Sequence, residues 1–104
     1  PFITTGHRAF VHPDAILEGP YWIGDEAEVE AGAMIGAYSV IGHRSRVRAG
    51  ATIEDSHLAP GADVAEGIHF NGHTVAPGLI FNHRKGILHR EVDPEIVRFG
   101  KADR

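Results

Sequence analysis

The chain has 104 residues, 42% of them apolar and 23% charged, with a formal charge of −4 and no cysteine. One core fits that length and two do not, and the composition is that of a folded domain rather than a disordered one. The acidic balance argues against nucleic acid or an anionic membrane as partner; the missing cysteines exclude disulfides, thiolate metal sites and a catalytic thiol, and fit a cytoplasmic setting.

Residues 1–8 form a lead-in. They carry no signal peptide, and no later run approaches the roughly 18 apolar residues of a membrane span. From there an aliphatic residue recurs at every sixth position: Val11, Leu17, Ile23, Val29, Ile35, Ile41, Val47 and Ile53. Two positions before each stands a small residue (Ala9, Ala15, Ala27, Ala33, Ser39, Ser45, Ala51), with Tyr21 as the exception. A period of six suits neither a lone helix nor a lone strand, and is the mark of a parallel β-helix with one short strand per hexapeptide.

Proteins built on this repeat close three hexapeptides into one three-sided turn. With that cross-section, residues about 18 apart stack one strand spacing (~4.8 Å) above each other. Three apolar columns result: Val11, Val29, Val47 and Val64 on face one; Leu17, Ile35, Ile53 and Phe70 on face two; Ile23, Ile41, Leu58 and Val75 on face three. The step shortens to five between Ile53 and Leu58 and again between Phe70 and Val75, so the corner from face two to face three is tightened twice. Gly32, Gly50 and Gly67 stack at one corner and Gly24 with Gly42 at another, where positive φ is expected. The repeat thus spans residues 9–82, about four triangular coils.

The same register orders the charges. Glu26 falls between Arg8 and Arg44, Glu28 below Arg46, which lies below Asp63, and Glu30 between His12 and Arg48. An ion-pair ladder up face one is expected. It absorbs the basic run His43–Arg48, which otherwise resembles a phosphate site, and it fixes the register of the coils. The outward columns on the other two faces begin apolar: Ile16, Met34, Thr52 on face two and Trp22, Val40, His57 on face three. Ile16, Trp22, Met34 and Val40 are the expected subunit interface. The tail, residues 83–104, is expected to carry a short helix near 94–99, capped by Asp93 and Pro94 and stopped at Gly100, that docks Ile96 and Phe99 on the prism.

The hexapeptide run resembles the hexapeptide-repeat transferase superfamily, which implies an all-β, single-stranded, left-handed parallel β-helix. Within it, His12–Pro20 with Trp22-Ile23-Gly24, and Val47–Ser56, are similar to the C-terminal β-helix of sugar-phosphate nucleotidyltransferases. No glycine-rich nucleotide loop is present. In that family the appended domain assembles subunits, sometimes binds a regulator, and in bifunctional members transfers acetyl groups. The resemblance implies a homo-oligomer, a trimer in the first instance, with a sugar phosphate or sugar nucleotide as ligand.

Two functions follow as expectations. The first is a non-catalytic assembly domain without cofactor. The second is an acyltransferase using acetyl-CoA, with His57 as general base on a sugar amine or hydroxyl and Asp55 orienting it. His73 and the segment Asn82, His83, Arg84 and Lys85 are the candidate ligand-binding residues, and a carbohydrate- or nucleotide-binding regulatory module is a third possibility. No metal site is expected: in zinc-binding relatives of this repeat a second histidine follows at the spacing where His43 is followed by Arg48.

Overall fold

A computed structural model describes residues 3–90 and 92–100. Sixteen short strands and no helix occur among them. They form sheets of seven, five and four strands, which are the three walls of a left-handed parallel β-helix of about four turns. All three expected columns are present rung by rung. Val11 pairs with Val29, Val29 with Val47 and Val47 with Val64. Leu17, Ile35, Ile53 and Phe70 do the same on face two, and Ile23, Ile41, Leu58 and Val75 on face three. From Ile23 upward these side chains are buried, and the small residues Ala27, Ala33, Ser39, Ser45 and Ala51 are buried beside them. The inward serines are satisfied: Ser39 Oγ donates to the Ile53 carbonyl at 2.9 Å, and Ser45 Oγ donates to the Ala59 carbonyl and accepts from Ala62 N–H, each at 3.2 Å. The lead-in joins the wall, with Ile3–Thr5 pairing in parallel with Tyr21–Ile23.

Each corner has its own column of left-handed residues, where the chain turns sharply. Gly32, Gly50 and Gly67 form one, as expected. Tyr38, Asp55 and Gly72 form the second, at the tightened corner, and Arg8, Glu26, Arg44 and Gly61 the third. Gly24 and Gly42 are not among them. They are needed for closeness: a Cβ on Gly24 would lie 2.7 Å from His43 N, and one on Gly42 would lie 2.6 Å from the Leu58 carbonyl oxygen.

Parallel stacking stops at His73–Ala76. His73 stands where the repeat calls for a small inward side chain, and the chain there reverses rather than closing another turn. Leu79–Asn82 returns antiparallel on His73–Ala76, and Ile87–Arg90 returns again on Leu79–Asn82, which raises a hairpin above face three. The expected helix near 94–99 does not form. Asp93 closes a single turn, its Oδ1 accepting from Glu95 N–H at 2.8 Å and its carbonyl from Ile96 N–H at 2.9 Å. Val97–Phe99 is then a strand, antiparallel on Ala62–Val64 at the end of face one. Six residues nucleate a helix poorly, whereas alternating Val97, Arg98, Phe99 matches an open sheet edge. Ile96 and Phe99 do pack on the core, and Val97 closes the valine column over Val64.

Candidate functional site

Face one is a paired face. Arg8 meets Glu26 at 2.7 Å. Arg46 donates to Glu28 at 2.6 and 2.8 Å and lies 3.6 Å from Glu30. The upper rung shifts sideways: Asp63 stacks on Arg46 in register but takes two hydrogen bonds from Arg48, at 2.8 and 2.9 Å, which holds Arg48 above the ordinary arginine pKa. His12 leaves the ladder, its Nδ1 accepting from Asp14 N–H at 3.0 Å, and Glu30 accepts from Ala49 N–H at 3.1 Å.

Face three is different. Its outward column runs Thr4, Trp22, Val40, His57, Thr74, Phe81 and Leu88, continuing from the coil onto the hairpin. Phe81 and Leu88 were not predicted for this stripe, because their place depends on an antiparallel register that the hexapeptide period does not contain. Trp22 packs edge-on against His43 at 5.2 Å between ring centres. Between this column and the tightened corner lies a cleft of about 180 Å³, lined by Tyr21, Trp22, Tyr38, Val40 and His57. Tyr38 is 66% exposed at its edge. Around the corner Ile16, 53% exposed, stacks under half-buried Met34 on face two. The four expected interface residues therefore lie on two faces that share one edge.

A histidine corner sits above the cleft. His57 is exposed on its strand, and the ring of His83 lies 5.9 Å away. The carboxylate expected to orient His57 is engaged elsewhere. Asp55 Oδ2 accepts from Arg84 Nη2 at 2.8 Å and Nε at 3.1 Å, and stands 3.7 Å from His83 Nε2. The Arg84 guanidinium holds the Asp55 carboxyl below the usual carboxylate range; loss of surrounding water opposes the shift and the charge of His83 reinforces it. His83 Nδ1 meets Thr74 Oγ1 at 3.2 Å. Arg84 reaches Asp55 by crossing Gly72, where a Cβ would lie 2.7 Å from Arg84 Cδ.

The other proposed ligand residues divide. Asn82 caps the hairpin turn, its Oδ1 accepting from Arg84 N–H at 3.1 Å and Lys85 N–H at 3.0 Å, and Lys85 is exposed on that turn. His73 precedes Thr74, the cross-strand partner of His57, yet does not line the cleft. It borders a larger cavity of about 640 Å³ at the open end of the prism, its ring 5.5 Å from that of Phe70. Burial pushes His73 below the ordinary histidine pKa, and the nearby charge of His83 acts in the same direction.

No protein-family model matches the chain. Over 80 residues, 77% of its length, it is 35% identical to the Bifunctional protein GlmU of Pelobacter propionicus. The match covers 16% of that protein, so the chain corresponds to a small part of its length.

Proposed function

We propose that this hexapeptide-repeat, transferase-related domain is a self-assembly module, working as a homotrimer. One observation carries the reading: the outward column of face three carries Trp22, Val40, Phe81 and Leu88, with His57 and Thr74 between them, while the outward column of face one above Phe10 is charged and paired. Three prisms placed around an axis, each with the shared edge of faces two and three turned inward, cover Trp22, Val40, Ile16, Met34 and Tyr38. They leave the ion-pair ladder in water, where it costs nothing to keep. A short solenoid buries little per turn and gains from such cover. Light scattering at micromolar concentration is expected to return three copies per particle, and Trp22→Glu to return one. A wild-type monomer contradicts the proposal.

A second reading draws on the adjacent imidazoles of His57 and His83 beside an apolar cleft. Here the domain is an acyl-CoA-dependent acyltransferase on a sugar amine or hydroxyl, with His57 as base and the Asp55–Arg84 pair positioning His83. Under it, His57→Ala lowers the rate by about 10²–10⁴. A 100-fold excess of acetyl-CoA over its Kd raises stability by about 2.7 kcal/mol. The absence of any thermal shift at millimolar acetyl-CoA leaves the assembly reading alone. Sugar phosphates and sugar nucleotides are screened in the same assay.

A further inference from the structure

Among the described residues the prism is not closed at its C-terminal end. Above the last parallel turn the three faces stop at different heights. Face three rises two further strands as the hairpin, face one rises one strand as Val97–Phe99, and face two ends at His69–Asn71. The result is a cup of about 640 Å³, in the size range of small-molecule sites. Phe70 and Ile80, nearly buried, form its floor, and Ile96 its opposite wall.

Three imidazoles line the cup. His89 shares the inward column of Val75 and Ile80, and so hangs over the end of the core. His69 and His73 complete the rim. His73 Nδ1 accepts from Asn71 N–H at 3.3 Å, which puts the proton of the neutral ring on Nε2 and makes that atom a donor. Among the described residues that line the cup, Asp93 is the carboxylate, its Oδ1 accepting from Glu95 N–H. On the hairpin side the cup thus offers a donor at His73 Nε2 beside the His89 ring, above a floor that favours hydrocarbon.

We propose that the cup binds a small amphipathic carboxylate, its apolar body on Phe70, Ile80 and Ile96 and its carboxylate accepting from His73 Nε2 beside His89. The cup shares no lining residue with the cleft beside Trp22, and although His69 continues the outward column of Ile16, Met34 and Thr52, the proposal does not rest on the assembly reading.

Octanoate is the probe, titrated calorimetrically into the full chain at pH 7. One site per chain is expected, with Kd at or below about 1 mM, a value that about ten non-hydrogen atoms sustain. His89→Glu is expected to weaken binding at least tenfold, whereas His89→Lys retains it, a contrast that loss of packing alone does not produce. Octylammonium is expected to bind at least tenfold more weakly than octanoate. Titration of Trp22→Glu gives the same Kd if assembly and cup are independent. Failure to saturate, as when another part of the chain fills the cup, overturns the proposal. So does equal binding of octanoate and octylammonium, or equal loss in the two His89 variants.

Discussion

Faces one and three are built from the same six-residue step on the same interior, yet they end in opposite conditions. On face one the outward residues Glu28, Arg46 and Asp63 find partners one coil away or along the wall. On face three the outward residues Trp22 and Val40, and above His57 and Thr74 the residues Phe81 and Leu88, keep part of their surface uncovered by the described residues. The inner columns decide that there is a prism. The outer columns differ: face one carries exposed Phe10 at its lowest rung and charges above it, whereas face three carries Trp22, Val40, Phe81 and Leu88.

The interior common to both faces sets the upper limit of any effect. Ile35→Ala, at a fully buried rung, is expected to cost about 2–5 kcal/mol in urea unfolding, through lost transfer energy and the cavity left behind. Gly42→Ala attacks the corner that joins face three to face one. The added methyl meets backbone on the next coil, and a loss of about 1–3 kcal/mol is expected. A Gly42→Ala chain as stable as the parent would show that the corners yield more easily than the walls.

Asp55 sharpens the comparison from the hairpin side, since it ties the upper extension of face three to the coil through Arg84. Its folded pKa lies below its unfolded one, so its contribution to stability is present above the unfolded pKa and is lost as pH falls through the folded value. Asp55→Asn is therefore expected to lower the urea midpoint at neutral pH. The gap to wild type should close as the solution is acidified through and below the ordinary carboxylate range. A gap that persists in acid would assign the effect to packing.

The smallest effect belongs to face one. Arg46→Ala removes exposed ion pairs, and at most about 1 kcal/mol is expected, with no change in particle mass. A large change in mass would place face one in the interface and reverse the roles of the two walls.

Much of this was legible beforehand, for a physical reason. A strictly repeated step forces residues a fixed distance apart into contact, so the columns under Val64, Phe70 and Val75, and the shortened corner, could be written down from spacing once the three-sided turn of this repeat type was taken as given. Where the repeat ends, that logic ends. Asp93-Pro94-Glu95 reads locally as a helix start, but the open edge of face one recruits Val97–Phe99 as a strand, a tertiary demand that local propensity does not record. The partner of Asp55 is Arg84, 29 residues away across a hairpin of unforeseen register. Arg48, placed above Glu30 by the repeat, instead reaches Asp63 because Arg46 already occupies the carboxylates below.

Trp22 is the sole tryptophan and stands in the lower part of the outward column of face three, lining the cleft, so its fluorescence reports directly on whether that surface is covered. Quenching by acrylamide, followed with chain concentration from nanomolar to about 100 µM alongside particle mass, is the decisive measurement. A fall in quenching that tracks a rise from one copy to three is the predicted result. Quenching that stays constant while the particle remains a single chain would contradict the assignment of face three.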